Sequence, residues 1–127
     1  MKIALDANRY VDLCRGVAEV IEPIGLAERI YLPLTVLGEL RAGFQAGSRA
    51  SRNERTLVRF LGSPRVRLLH PDEQTTFHYA NLFAQLREQA TPIPTNDLWI
   101  AALVIQHGLT LLTRDRHFKH LPQLCQI

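Results

Sequence analysis

Four acidic residues have the types and the spacing that metal chemistry requires. Asp6 and Asp115 each follow a short apolar run. Glu39 lies one helical turn after a third apolar run, and Asp97 opens an apolar helical segment. Carboxylates that are brought together repel one another, so a fold that gathers them needs a ligand that offsets the repulsion. Oxygen donors favour a hard divalent cation, here Mg²⁺ or Mn²⁺.

The elements that would position these carboxylates alternate between strand-like and helical patterns, which is typical of a parallel α/β sheet. The predicted strands are residues 2–5, 29–32, 66–69 and 109–112, with a short fifth strand at 124–127. The predicted helices are residues 10–27, 35–44, 50–61, 71–89 and 97–106. We therefore expect one domain, residues 1–127, with a small parallel sheet of four to five strands flanked by helices. Ligands of such sheets bind outside the carboxyl ends of the strands.

Local signals predict where the helices begin and break. Gly16 and the segment 23–25 are expected to interrupt the first helix. Thr35 is expected to cap the second helix, and Thr95 or Asn96 the last one.

Each carboxylate also has a purely structural interpretation. Asp6 can cap the following helix, and Asp115 can pair with a neighbouring arginine. Glu39 and Asp97 lie in the first turns of helices, where the helix dipole stabilises a negative charge by roughly 0.3–1 kcal/mol. The catalytic hypothesis rests on all four meeting at one edge of the sheet, with Asp6, Asp97 and Asp115 as the predicted metal ligands.

Two polar residues near the predicted strand ends can support this site. Asn8 follows Asp6 by two residues and can hold a water or a phosphate oxygen, and Thr113 can orient a water beside the cation.

Composition restricts the class of protein. The 127 residues are 46% hydrophobic with a net charge of +3, which fits one globular domain and permits an acidic partner. Cys14 and Cys125 have no metal-binding spacing, and we expect reduced thiols. The chain starts directly with a strand pattern and has no apolar run of about 18 residues. We therefore expect a cytoplasmic protein without a signal peptide or membrane segment.

A basic helix is the second functional feature. Four of its arginines fall on one face at 3.6 residues per turn, namely Arg49, Arg52, Arg55 and Arg59. The opposite side is apolar and includes Leu57, Val58, Phe60 and Leu61. A solvated face is one interpretation, contact with RNA phosphates is another, and docking of an acidic segment of a partner protein is a third.

Other catalytic patterns are absent or weak. His117 and His120 have ligand-like spacing, but we set them aside as a zinc pair because they lie in a short loop after a strand. The chain has no phosphate-binding glycine loop. A small phosphatase would also end its first strand in Asp, but it normally has a second Asp where Asn8 stands.

Four segments resemble the motifs of PIN-domain ribonucleases, and more narrowly those of VapC-type toxins. These segments are LDAN at 5–8, LGELRAG at 37–43, NDLWIAA at 96–102 and LTRDRHF at 112–118. The resemblance covers nearly the whole chain, and the third and fourth motifs are its most specific parts.

This resemblance implies a PIN-like three-layer fold and the toxin of a type II toxin–antitoxin system. The activity it implies is cleavage of RNA phosphodiesters by a water activated by Mg²⁺ or Mn²⁺. The family's acidic quartet maps onto Asp6, Glu39, Asp97 and Asp115, and the partners it implies are an RNA substrate, a cognate antitoxin and a second copy of the chain. The alternative is a catalytically silent RNA- or protein-binding module on the same fold.

Overall fold

A four-stranded parallel sheet forms the centre of the computed structural model, which describes residues 1–127. Its strands are β1 (Lys2–Leu5), β2 (Arg29–Pro33), β3 (Val66–Leu69) and β4 (Thr110–Leu112). Three consecutive residues of β1, Ile3, Ala4 and Leu5, have no exposed surface. Because neighbouring strand residues face opposite sides of a sheet, both faces must be covered. The predicted α/β class and three-layer architecture are confirmed.

Six α-helices and one 3₁₀ turn flank the sheet. They are α1 (Ala7–Cys14), α2 (Ala18–Leu26), α3 (Leu34–Ala46), α4 (Ala50–Leu61), α5 (Glu73–Glu88), α6 (Thr95–Gln106) and the 3₁₀ turn Arg116–His120. None of the helices combines the length and the apolar character needed to cross a bilayer.

The strand order, β3-β2-β1-β4, places a switch point between β1 and β4. From β1 the chain adds β2 and β3 on one side and then returns to add β4 on the other. Crossovers therefore leave in opposite directions here and open a crevice at the carboxyl ends of the two strands. Asp6 follows β1 and Thr113 follows β4, so both lie at this crevice.

The predicted first helical stretch, residues 10–27, begins earlier, at Ala7, and its expected interruption at Gly16 is confirmed. It is two helices, α1 and α2, separated at Gly16, whose φ of +73° suits glycine. The expected break at residues 23–25 is absent, since Pro23 lies inside α2. The missing amide of Pro23 removes one helical hydrogen bond, but α2 still buries Val20 and Ile24 in the core.

The predicted helix caps are also wrong. α3 begins at Leu34, directly after Pro33, and α6 begins at Thr95, directly after Pro94. Neither helix has a side-chain cap, and a proline occupies each capping position. Asp97 is consequently the third residue of α6, in its first turn.

The predicted fifth strand is reduced to a single parallel bridge between Leu111 and Gln126. The Leu111 N–H donates to the Cys125 carbonyl at 2.8 Å, and the Ile127 N–H donates to the Leu111 carbonyl at 2.9 Å. The C-terminal segment thus covers the free edge of β4.

Candidate functional site

Asp6 lies directly after β1 and is almost fully buried, with 4% of its surface exposed. Its Oδ1 accepts a hydrogen bond from the Ala7 N–H at 2.8 Å, so the capping role is present as well. Its Oδ2 accepts from the Thr113 hydroxyl at 2.6 Å and from the Asn8 amide at 3.3 Å. Burial raises the pKa of Asp6 above its usual value, and the bond from Thr113 opposes that rise.

Thr113 links two of the predicted acidic residues, Asp6 through its carboxylate and Asp115 through its backbone amide. Its hydroxyl donates to Asp6 and accepts a hydrogen bond from the Asp115 N–H at 3.0 Å. Asn8 is also engaged by protein groups, because its Oδ1 accepts from the Arg114 N–H at 3.3 Å. Both polar residues therefore shape the crevice, and contact with water or phosphate remains a prediction for them.

Asp97 and Asp115 meet at a histidine. The Nδ1 of His117 lies 2.9 Å from Oδ2 of Asp97 and 3.0 Å from Oδ1 of Asp115. Asp97 is 8% exposed, and burial raises its pKa. The hydrogen bond to Asp97 raises the pKa of His117 in turn. One ligand atom from each of the three side chains lies within 4.8 Å of the others, a group to which Asp6 and Glu39 do not belong.

The sequence prediction missed His117. Its sequence spacing to His120 suggests half of a zinc pair, whereas its partners in the structure are the carboxylates of Asp97 and Asp115. The available signal was its position two residues after Asp115, which a tight turn brings back to the same site. The structural alternative for Asp115, an ion pair with a neighbouring arginine, is not formed, because Arg114 pairs with Asp12 and Arg116 has no ion pair.

Glu39 completes the acidic group from the second turn of α3. Its Oε1 is buried and has no hydrogen-bond partner. Burial, followed by the charges of Asp6, Asp97 and Asp115, raises its pKa to about 7. The structure thus brings all four predicted carboxylates within electrostatic reach of one another.

The electrostatics of this group fit a cation. Two carboxylates about 4 Å apart repel by about 4 kcal/mol at an effective dielectric near 20. Three of the four, Asp6, Glu39 and Asp97, have raised pKa values, and Glu39 has an oxygen without a partner. His117 lies between two carboxylates at a place where positive charge is favoured. A divalent ion would supply that charge and offset the repulsion.

The arginine face lies on α4 and at its start. All four predicted members are exposed and form no ion pair, namely Arg49, Arg52, Arg55 and Arg59. The single acidic residue of α4, Glu54, is neutralised by Arg41 through bonds of 3.1 and 2.8 Å. Val58 was expected on the apolar side of α4 but is 55% exposed. Of the residues of α4, only Leu57 is fully buried.

A groove of about 430 Å³ runs between α1, α3 and α4. Tyr10 and Phe44 contribute aromatic surface to its lining, and Arg15, Arg49 and Arg52 contribute positive charge. This surface suits a segment that carries both apolar and acidic side chains.

Comparison with known proteins agrees with the motifs. The PIN-domain family model matches residues 3–124. Ribonuclease VapC4 of Mycobacterium tuberculosis is 33% identical over 91 residues, which are 72% of this chain and 70% of that protein. The solved structure of VapBC-1 from nontypeable Haemophilus influenzae superposes with a TM-score of 0.87 at 26% identity, covering 100% of this chain and 97% of that one.

A second solved structure is that of VapBC2 from Rickettsia felis bound to a DNA fragment from their promoter. It superposes with a TM-score of 0.86 at 27% identity and covers 100% of this chain and 98% of that one. With its sheet order, its acidic crevice and these similarities, the chain belongs to the PIN-domain family, among the relatives of the VapC ribonucleases.

Proposed function

We propose that this chain is a metal-dependent endoribonuclease and the toxin of a type II toxin–antitoxin system. The observation that carries the proposal is the convergence of Asp6, Glu39, Asp97 and Asp115 at the switch point of the sheet. A relative that matches 72% of this chain is named a ribonuclease, and a solved structure that matches the whole chain is that of a VapBC protein, which supports RNA as the substrate. We place the action in the cytoplasm, where that substrate is found.

The residues that would hold the cation are Asp97, Asp115 and His117, with Asp6 as a further ligand oriented by Thr113. Carboxylates suit both Mg²⁺ and Mn²⁺, whereas an imidazole nitrogen suits transition metals better. We therefore propose Mn²⁺ as the stronger binder and either ion as a cofactor. A bound cation would lower the pKa of water and stabilise negative charge on a phosphoryl oxygen.

Glu39 is suited to proton transfer. In the metal-free protein its pKa of about 7 leaves both protonation states present near neutral pH, and a bound cation would lower that pKa and favour the carboxylate, the form that accepts a proton. We propose that it accepts a proton from the water that attacks phosphorus. The attack breaks the bond between phosphorus and the 3′ oxygen, which leaves a 5′-phosphate and a 3′-hydroxyl.

Incubation of an RNA pool with the protein, first without metal and then with added metal, tests this function. We expect no cleavage in EDTA, cleavage after addition of Mg²⁺ or Mn²⁺, and products that carry 5′-phosphates. Cleavage that persists in EDTA, or products with 2′,3′-cyclic phosphates, would contradict the proposal. RNA that is bound but never cut would favour the catalytically silent alternative.

We propose that the arginine face binds the RNA backbone. The support is four exposed arginines with no intramolecular ion pair on one side of α4. Phosphate contacts of this kind weaken as salt rises, because binding releases counterions.

We propose that the groove between α1, α3 and α4 receives the cognate antitoxin. The support is its aromatic lining beside Arg15, Arg49 and Arg52. A charge reversal, Arg15→Glu, should weaken binding of a co-expressed antitoxin without affecting RNA cleavage. Lys2→Glu, exposed at the start of β1, should affect neither. Unchanged antitoxin affinity of the Arg15 variant would contradict this docking site.

We propose that a second copy of the chain covers the groove of about 310 Å³ that is lined by Tyr79, Phe83 and Leu98. Phe83 is 52% exposed, and Tyr79 stacks between it and Trp99. Light scattering should detect dimers of the wild type and of Phe77→Ser, which changes another exposed face of α5. It should detect monomers of Phe83→Ser, and a dimeric Phe83→Ser would contradict the assignment.

A further inference from the structure

Arg114 stands between the two site residues Thr113 and Asp115, but its side chain leaves the crevice. It reaches back to α1, where Nε lies 2.9 Å from Oδ2 of Asp12 and Nη2 lies 3.4 Å from Oδ1. The guanidinium therefore meets both oxygens of one carboxylate. Such paired contacts restrict orientation as well as distance.

The surroundings of Asp12 keep its carboxylate in place for this contact. It is only 7% exposed, and a second guanidinium, that of Arg9, donates to its Oδ2 at 3.1 Å. The hydrogen bond from Arg114, with that from Arg9, keeps the pKa of Asp12 below its usual range. Asp12 thus stays ionised and fixed in place on α1.

The loop after β4 has two other ties to β1 and α1. The Thr113 hydroxyl bonds to Asp6, and the Arg114 N–H bonds to Asn8 at a longer 3.3 Å. Both end on residues within the crevice. Of the side-chain contacts that this loop makes with β1 and α1, the Asp12–Arg114 pair is the one that ends outside the acidic group.

We propose that the Asp12–Arg114 pair positions Asp115, and with it His117, for binding the divalent cation. Asp12 and Arg114 are then positioning residues that touch neither the cation nor the RNA. This inference rests on the proposed metal site.

Direct contact of Arg114 with RNA is the competing explanation, and its electrostatics have the opposite sign. A positive side chain near a cation site disfavours the cation. If Arg114 acted only through its charge, its removal would leave Mn²⁺ affinity unchanged or make it tighter. If it positions Asp115, its removal must weaken Mn²⁺ binding.

Calorimetric titration of the RNA-free protein with Mn²⁺ distinguishes positioning of Asp115 from direct contact of Arg114 with RNA. We expect Arg114→Ala to raise the dissociation constant about tenfold or more, as is typical when a residue that orients a metal ligand is lost. Arg116→Ala removes the same charge from the same loop, has no ion pair to lose, and should not weaken binding. Arg114→Lys keeps the charge but not the paired geometry and should recover little of the affinity.

A double-mutant cycle tests whether Asp12 acts through Arg114. Asp12→Asn alone should weaken Mn²⁺ binding, and the double variant should be no weaker than Arg114→Ala. Effects that multiply in the double variant would show that the two residues act independently and would overturn the inference. Because Arg114 is exposed, its variant tests the idea even if Asp12→Asn folds poorly.

Hydrogen exchange of the metal-free protein supplies a readout without any ligand. The Asp115 amide, which donates to Thr113, should exchange faster in Arg114→Ala, while the Leu111 amide in the sheet should not change. Unchanged Mn²⁺ affinity and unchanged exchange would overturn the inference while leaving the metal site intact. A wild-type protein that binds no Mn²⁺ would instead overturn the proposed metal site, and this inference with it.

Discussion

Replacing Glu39 with glutamine should stabilise the metal-free protein at pH 8 but not near pH 4.5. The folded protein raises the pKa of Glu39 from 4.5 to about 7, first through burial and then through the charges of three aspartates. Because the folded value is the higher one, the carboxyl favours folding below pH 4.5 and loses that contribution as pH rises through about 7. Glutamine has no such dependence.

The magnitude follows from the gap between the two pKa values. At 1.36 kcal/mol per pH unit, the gap from 4.5 to about 7 sets an upper limit of about 3 kcal/mol. Glu39 is partly exposed, so solvent screening reduces the expected gain to about 1–2 kcal/mol. For a domain of this size that is a rise in Tm of roughly 3–10 °C.

Thermal unfolding in EDTA at pH 4.5 and pH 8 measures the effect. Glu22→Gln is the matched control, because it removes the same charge from an exposed position on α2 and should leave Tm nearly unchanged. An equal gain at both pH values, or no gain at pH 8, would refute the conclusion that the folded, metal-free protein disfavours the charged form of Glu39.

The remaining predictions address the core, the crevice and the basic face. Leu57→Ala should cost about 2–5 kcal/mol in unfolding free energy, because the side chain is fully buried. Val58→Ala on the exposed side of the same helix should cost within about 0.5 kcal/mol, and equal costs in chemical denaturation would contradict the placement of α4. Thr113→Val should lower the free energy of unfolding by about 1–3 kcal/mol and slow RNA cleavage, because the Asp6 carboxylate and the Asp115 amide lose the hydroxyl that they share. An unchanged cleavage rate would contradict the linking role of this hydroxyl. The double variant Arg55→Gln/Arg59→Gln changes two arginines outside the groove between α1, α3 and α4. It should reduce the slope of log affinity for RNA against log salt concentration by roughly 0.7 per lost phosphate contact. An unchanged slope would exclude RNA contact at these two arginines.

The convergence of the four carboxylates was predictable from the sequence because each lies in, or shortly after, a regular element. Asp6 follows a strand whose three apolar residues are fully buried, and Asp97 lies in the first turn of a helix that is apolar on nearly all sides. Such patterns determine where a parallel strand ends, and the carboxyl ends of parallel strands share one edge. The limits of α4 and β3 were predicted correctly for the same reason.

Contacts made by irregular segments were not predictable in this way. His117 reaches Asp97 only because the loop after β4 closes into a 3₁₀ turn, and no periodic pattern encodes that turn. The pairing of Asp12 with Arg114 joins residues 102 positions apart and depends on the tertiary approach of α1 to that loop. The helix starts at Leu34 and Thr95 were misplaced because prolines occupy positions where hydroxyl or amide caps are usual.

The most direct measurement of the central claim is Mn²⁺-dependent RNA cleavage by Asp6→Asn beside Asp72→Asn. Both aspartates cap a helix, at the start of α1 and of α5, and asparagine preserves capping at either position. Only Asp6 belongs to the acidic group, so we expect cleavage to be lost in Asp6→Asn and kept in Asp72→Asn, with both variants folded. Cleavage by Asp6→Asn at the wild-type rate would contradict the assignment of this crevice as the active site.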